Sequence, residues 1–448
     1  MRILAALLAT FFFLHGAAGI AQEKTLTLQQ AIDIALQNNL SVVQSQNNLD
    51  AAESQSRAAM GQYLPSLDAS GSWRRTQTDQ AGYRGVIQGT PVDFPASSET
   101  NGSVGAGLSA GLTVFDFLGR EGNVSAANAR EASAKLGVVR TRQAIVYQTA
   151  SEYLNVLRTE KLVAVTEENL KRDQRQLERI VESNRVGALS LADVYRQQSQ
   201  VASDELSVIS ATNNHLKSKA DLLALIGLDA RQDYRIVDAT LPVTIDTLEM
   251  RQLRSDFKGL GVLQDRAIQA RPDFMAAMEQ VNAADGSVTS AYSGYYPAIG
   301  AFGGYNLNGE KVSNLADNKS LSWGLSVRWN IFDGFLREQQ IQTAEASRRN
   351  AEIAKAQTER DVTVEVKKAV LDLDAAMKSL QVTDKALVSA AEDRKIAEER
   401  YNLGAGTLLD LLVANASFVN AEANKVNAVY GYLTAKYNLE FALGERKY

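Results

Sequence analysis

The feature that most constrains this chain is that its sequence is written twice. Ala35 to Ala69 aligns with Ala267 to Ala301 at a constant offset of 232, so that Ala51-Ala52-Glu53 falls on Ala283-Ala284-Asp285 and Tyr63-Leu64-Pro65 on Tyr295-Tyr296-Pro297. Gly107-Leu108-Ser109 then aligns with Gly324-Leu325-Ser326 at an offset of 217. That offset holds without a gap through Phe115-Asp116 and Phe332-Asp333, Gly187 and Gly404, Asp193 and Asp410, to Gly227 and Gly444. The change from 232 to 217 leaves 15 extra residues in the first copy, between its two aligned blocks. A duplication of this length requires a fold built from two equivalent halves.

Each copy reads as a helical segment, a strand, a loop, a second strand and two long helical segments. Thr27 with Gln30 three residues on has capping-box spacing, which satisfies orphan amide groups at a helix start. Pro65 and Pro297 disfavour helical geometry in the residue before them and mark the same switch from helix to strand in both copies. After Pro65 the residues alternate, with Leu67, Ala69, Gly71 and Trp73 on one side and Ser66, Asp68, Ser70, Ser72 and Arg74 on the other. The return strand sets Val104, Ala106, Leu108, Ala110, Leu112 and Val114 against a run of glycine, serine and threonine. The second copy sets Leu321, Trp323, Leu325, Val327, Trp329 and Ile331 against Ser322, Gly324, Ser326, Arg328 and Asn330.

Strands of about 10 residues with one apolar side fit the dyad repeat of outer-membrane barrels, and Trp73, Tyr305, Trp323 and Trp329 supply aromatics of the kind found at bilayer interfaces. A soluble sheet alternates in the same way. Four strands bracketed by helices, however, offer no second sheet to cover the apolar side. Four strands cannot close around a lumen, and the eight strands of two chains would close on a filled interior. The twelve strands of three chains leave an open lumen.

From Gly122 to Asn184 there is no proline and one interior glycine, Gly137, among helix-favouring residues. Such a run predicts a rod of about 60 residues and about 90 Å. Leu411, Phe418, Tyr432 and Leu439 fall at multiples of seven, with Lys425 breaking the register, which favours coiled-coil packing. Between paired rods lie the turns Arg185-Val186-Gly187-Ala188-Leu189-Ser190 and Tyr401-Asn402-Leu403-Gly404-Ala405-Gly406-Thr407. Gly187 and Gly404 suit a helix C-terminal position with positive φ. Ser190 with Asp193 and Thr407 with Asp410 have the spacing of caps that start the next helix, a sufficient structural role for both carboxylates.

Met1-Arg2, the apolar run Ile3 to Leu14 and the small residues up to Ala21 form the three parts of a secretory signal, with cleavage expected after Ala21. Removing Arg2 takes the formal charge from −5 to −6, which leaves no basic footprint for nucleic acid. There is no cysteine, and outside the signal His215 is the sole histidine. Disulfide scaffolds and zinc sites of several cysteines and histidines are excluded, and no nucleophile elbow or phosphate loop suggests an enzyme. His215, beside Asn213 and Asn214, reads as solvated. No later apolar run is long enough for a transmembrane helix, so entry into a membrane has to be as a β-barrel.

The opening Leu26-Thr27-Leu28-Gln29-Gln30-Ala31-Ile32, the Tyr-x-Pro switches, the Phe-Asp strand exits and the two glycine turns together resemble the TolC family of outer-membrane factors, from about residue 25 to 444. The resemblance implies a mixed fold, a membrane β-barrel plus a long α-helical barrel. A duplicated helix-strand-strand-helix-helix repeat would contribute four strands per chain to a trimeric twelve-stranded barrel. The expected parts are a signal peptide at 1–21, a first repeat at 22–227 and a second at 259–448, joined by an equatorial linker at 228–258. The first repeat holds a strand pair at 65–116 and a helical hairpin at 120–227; the second holds a strand pair at 297–332 and a hairpin at 334–444. The implied role is a passive outer-membrane exit duct, without cofactor or metal, for a tripartite efflux pump or type I secretion system. Its partners would be two further copies, a periplasmic adaptor, an inner-membrane pump and outer-membrane lipid.

Position by position, Asp193 and Asp410 resemble the acids that line or latch the periplasmic tip of such ducts, and Tyr401 stands in the place of a gating tyrosine. Val186, Gly187, Ala188, Leu189 and Ser190, with Leu403, Gly404, Ala405, Gly406 and Thr407, would meet the adaptor. Gly406 stands where an arginine latch can occur and Val413 where a second inward acid can occur, which implies a more loosely held gate. A periplasmic adaptor, with one hairpin between small β-domains, fits the two hairpins and two strand pairs poorly.

Overall fold

The computed structural model describes residues 24–237 and 259–445; the signal segment 1–21 and residues 238–258 of the expected linker lie outside them. The first copy runs β1 (Lys24–Leu26), α1 (Leu28–Asn38), α2 (Leu40–Gly61), β2 (Ser66–Gln80), β3 (Tyr83–Ile87), β4 (Thr90–Phe94), β5 (Ser97–Phe115), α3 (Gly119–Arg185) and α4 (Leu191–Leu225). After β6 (Tyr234–Ile236), the second copy runs α5 (Leu260–Ala270), α6 (Pro272–Ser293), β7 (Ala298–Gly309), a 3-10 turn (Val312–Asn314), β8 (Asn318–Arg328), α7 (Leu336–Asn402) and α8 (Leu408–Leu443). Helix α(n+4) thus repeats helix αn. The extra residues of the first copy lie in the β2–β5 connection, which holds the hairpin β3–β4; the second copy has only the 3-10 turn there.

Two compact units divide the chain, and each draws on both copies. Among the described residues, one contains 24–40, 145–237 and 372–437; the other contains 41–144, 259–371 and 438–445.

The second unit holds an antiparallel sheet in the order β2-β5-β7-β8. Directly opposed residues share a face, so the register decides what each face carries. On one face Ala69 opposes Leu108, Leu108 opposes Tyr305, and Tyr305 opposes Leu321. Trp73, Leu67, Trp323 and Leu325 lie on the same face, and Leu67, Trp73, Leu321, Trp323 and Leu325 are each at least 70% exposed. The other face carries Ser66, Asp68, Ser70 and Ser72, then Ser109, Gly107 and Gly105, then Gly304 and Asn306. Phe302 is the aromatic exception there, and Gly324 opposite leaves room for its ring: a Cβ at 324 would lie 3.0 Å from it. Within the described residues, β2 and β8 each keep one edge without a strand partner.

Beyond the sheet, Arg120 and Arg337 do equivalent work at the strand exits. Arg120 donates to the Thr113 and Val114 carbonyls and lies over the Tyr63 ring; Arg337 donates to the Asn330 carbonyl and lies over Tyr295. The Tyr-x-Pro and Phe-Asp segments therefore meet around an arginine in both copies. In the same unit α3 and α6 pack backbone to backbone, since a Cβ on Gly286 would fall 2.6 Å from the Ala126 nitrogen.

α3 and α7 have 67 residues each, about 100 Å at 1.5 Å per residue. Thr27 closes the expected capping box with Gln30. The opening segment, expected as one helix, is two in each copy. Asn39 interrupts the first with ψ 126° and Arg271 the second with ψ 124°. Pro272 accounts for the second break, having no amide hydrogen to continue the ladder. Both break residues cap the end of a long helix. Asn39 Nδ2 donates to the Leu225 carbonyl at 2.8 Å, and Arg271 Nη1 to the Ala442 carbonyl at 3.2 Å. Arg271 is 3% exposed and is neutralised by Asp273 and Glu365, each at 2.5 Å.

The heptad positions Leu411, Tyr432 and Leu439 of α8 are buried, and Phe418 lies beneath the guanidinium groups of Arg172 and Arg394. Lys425, which breaks the register, forms an ion pair with Asp384 of α7. His215 corrects the expectation of a solvated ring. It is half-buried, and its Nδ1 lies 3.3 Å from the Thr159 hydroxyl of α3, which also meets Ser218 at 2.9 Å.

Candidate functional site

The two glycine turns lie in the same compact unit and are built alike. Gly187 has φ +77° and Gly404 φ +71°, a backbone conformation that a Cβ strains. Ala188 N–H donates to the Ser183 carbonyl at 2.8 Å and Gly187 N–H to Asn184 at 2.9 Å. Ala405 N–H donates to Arg400 at 2.8 Å and Gly404 N–H to Tyr401 at 3.0 Å. Each turn is therefore a Schellman motif that satisfies the last carbonyls of its long helix.

The caps that follow differ in completeness. Asp410 Oδ2 accepts from the Thr407 backbone amide at 3.0 Å and from its hydroxyl at 2.8 Å, while the Asp410 amide donates to Thr407 Oγ1 at 3.1 Å. The Thr407 amide, then its hydroxyl, hold the Asp410 carboxyl below the ordinary carboxylate range. Asp193 accepts from the Ser190 hydroxyl at 2.7 Å and from Arg196 Nη1 at 3.2 Å, and its amide donates to Ser190 Oγ at 3.3 Å.

One apolar cluster joins the turns. Ile180 of α3, Val194 of α4 and Leu408 of α8 are buried together, with Leu177, Leu189, Tyr401 and Leu412 packed on them. Tyr401 is half-buried, in the neighbourhood of Gln176, Arg179 and Asp193; burial first, then the Asp193 charge, raise its pKa. Asp193 and Tyr401, from different copies, are thus brought together. Asp410 is exposed and occupied with its own cap.

Val186, Gly187, Ala188, Ser190, Leu403, Gly404, Ala405 and Thr407 are exposed, Leu403 to 83%. Leu189 and Gly406 are half-buried, and Leu189 belongs to the shared cluster. At Gly406 a Cβ would approach Arg400 Cβ to 3.2 Å, and Arg400 itself donates to the Ala405 carbonyl at 3.3 Å. Val413, in place of a second acid, is an exposed apolar side chain.

The sequence reading missed Ile180, Gln176, Arg179 and Glu398, which face the turns from within the long helices; Arg179 lies 3.7 Å from Glu398. The apolar pair Leu177 and Ile180, one helical turn apart in a strongly polar stretch, was the available signal.

A family profile described as outer membrane efflux protein matches residues 31–228 and 263–445. The chain is 25% identical over 317 residues to the outer membrane protein TolC of Escherichia coli, a match spanning 68% of this chain and 62% of TolC. It is 26% identical over 412 residues to the outer membrane protein OprJ of Pseudomonas aeruginosa, spanning 88% of this chain and 79% of OprJ. A solved membrane protein from Pseudomonas aeruginosa superposes with a TM-score of 0.78 at 22% identity, covering 93% of each chain. With the profile matching both copies of the repeat, the chain belongs to the outer membrane efflux protein family.

Proposed function

We propose that three copies of this chain close a twelve-stranded barrel in the outer membrane. The assembly forms the passive exit duct of a tripartite efflux pump or type I secretion system. The observation that carries this reading is the four-stranded sheet, with a continuous exposed apolar face and a free edge on both β2 and β8. In water that face and those edges are liabilities, whereas in a closed barrel the face meets lipid and the edges disappear. The opposite face, of serine, glycine and asparagine, then lines a wet lumen.

The repeat supplies the register of closure. β5 pairs with β7 so that Leu108 opposes Tyr305 and Gly107 opposes Asn306. Advancing both strands by one repeat puts Leu325 of β8 opposite the partner's Trp73, and Gly324 opposite the partner's Arg74. The division into repeats at 22–227 and 259–448 around an equatorial linker is the arrangement this closure requires.

On the periplasmic side, the helical hairpins form a tunnel ending in the two turns. Val186, Leu403 and the small residues Gly187, Ala188, Gly404 and Ala405 offer an exposed surface without charge to the hairpin of an adaptor, which couples the duct to an inner-membrane pump. Ser190 and Thr407 hold the turns in shape, with Leu189 and Gly406 beneath them. Asp193, Tyr401 and Asp410 line the tip, and with glycine at 406 the closed gate rests on the Asp193–Tyr401 neighbourhood instead of an arginine latch. The test is mass measurement of the detergent-extracted protein together with conductance across a planar bilayer. A trimer that conducts supports the duct; a monomer or dimer, or a trimer without conductance, overturns it.

A further inference from the structure

The first hairpin buries a polar cluster that the second lacks. Asp173 of α3 is 2% exposed, Asp204 of α4 6% and Gln197 of α4 0%. Gln197 Nε2 donates to the Asp173 carbonyl oxygen at 3.1 Å and to its Oδ1 at 3.3 Å, and Gln200 Nε2 donates to Asp204 Oδ1 at 3.0 Å. The carboxyl groups of Asp173 and Asp204 lie within hydrogen-bonding reach of each other. Asp204 Oδ2 nevertheless finds no donor among the described residues. Two ionised carboxyl groups in contact only accept, so this geometry lacks one hydrogen.

We propose that the buried Asp204 carboxyl carries a proton, directed at Asp173, and makes the first hairpin a pH-responsive element, tightened when the proton is bound and loosened when it leaves. That proton supplies the missing donor and removes one of two like charges from a buried site. Burial, then the hydrogen bond and charge of Asp173, push the Asp204 carboxyl up to about 7, against the opposing amides of Gln200 and Asn169. No lysine or arginine among the described residues forms an ion pair with either carboxyl. On α3, Arg172 lies 3.6 Å from Glu422 of α8 and over the Phe418 ring, and Arg175 donates to the Lys171 carbonyl. Glu422 of α8 and Arg394 of α7 face Arg172 and Phe418.

The sign follows from linkage. Between the ordinary aspartate value, 3.8, and about 7, the folded hairpin holds a proton that the unfolded chain has released. Its stability is therefore full below that window, falls as pH rises through it, and changes no further above it. Asp173 stands 12 residues before the end of α3 at Arg185, about 18 Å from the turn along the helix. A periplasmic element would experience the pH of the external medium, a consequence that rests on the duct reading; the titration itself does not.

The second hairpin is a built-in control. At the offset of 217, Asn169, Asp173, Gln197 and Asp204 become Ala386, Ala390, Ala414 and Ala421. The test is amide hydrogen exchange of the intact wild-type assembly at pH 5.5 and pH 8, corrected for intrinsic exchange. Protection over residues 169–204 is expected to drop on the order of tenfold at the higher pH, while residues 386–421 stay level. Asp204→Asn and Asp173→Asn should each flatten that dependence. Equal pH trends in the two wild-type hairpins, or an undiminished trend in the asparagine variants, would overturn the proposal whether or not the protein conducts.

Discussion

The two copies of the repeat share their backbone devices and differ in how they fill them. Where the first helix breaks, the first copy uses Asn39, through a neutral hydrogen bond to Leu225; the second uses Arg271, a buried cation with two carboxylate partners. In the hairpins the order reverses, the first copy burying carboxyl groups and amides where the second has alanine. The lesson is that the geometry of this fold lies in its turns, caps and sheet register, which both copies keep. The chemistry of the interior positions is free to diverge, and it is there that the copies acquire different sensitivities.

The largest difference should come from the helix breaks. Arg271→Ala leaves Asp273 and Glu365 only their longer contacts to Arg140, at 3.5 and 3.8 Å, and should cost about 3 kcal/mol, whereas Asn39→Ala should cost about 1 kcal/mol. Thermal unfolding of the purified assembly measures both, and equal losses would break the contrast. In the sheet the copies should behave as one. Leu108→Arg and Leu325→Arg each cost about 2–4 kcal/mol near the bilayer midplane, repeated in every protomer, and should deplete heat-resistant oligomer from outer-membrane fractions. Ser109→Arg and Ser326→Arg should assemble and alter only conductance; equal assembly of all four variants would show the faces to be misassigned.

At the turns, valine at Gly187 or Gly404 meets the same positive φ and should introduce about 1–3 kcal/mol of strain. Export should fall to a similar degree in both variants while the oligomer persists. A one-sided loss would mean that the turns do unequal work. The smallest effect is expected at Lys425→Ala, whose partner Asp384 is more than half exposed. Ion pairs of that kind contribute about 0–1 kcal/mol, so a larger loss of thermal stability would assign the pair a structural role beyond its geometry.

Much of this was legible in the sequence because it depends on local rules. Alternation exposed the strand faces, Pro65 and Pro297 the switches, and Gly187 and Gly404 the Schellman turns. The helix break at Asn39 was hidden because asparagine is tolerated within helices and the bond that defines it reaches a residue 186 positions away. The burial of Asp173 and Asp204 carries no sign in the sequence for the same reason: their environment is set by α3 packing on α4, which periodicity does not report. At the two turns, spacing marked Asp193 and Asp410 as caps and the family resemblance singled out Tyr401, while Ile180 and Arg179, which lie beside them on the long helix α3, carry no local signature.

The most direct test of closure uses the absence of native cysteine. Trp73→Cys with Leu325→Cys, and separately Arg74→Cys with Gly324→Cys, place thiols on the two free edges at opposed positions of the inferred register. Oxidation of outer-membrane fractions should link chains into dimers and trimers in at least one of the two double variants and in none of the single variants. Chains that remain unlinked in both, or that link only within themselves, would contradict closure of the sheet by neighbouring copies.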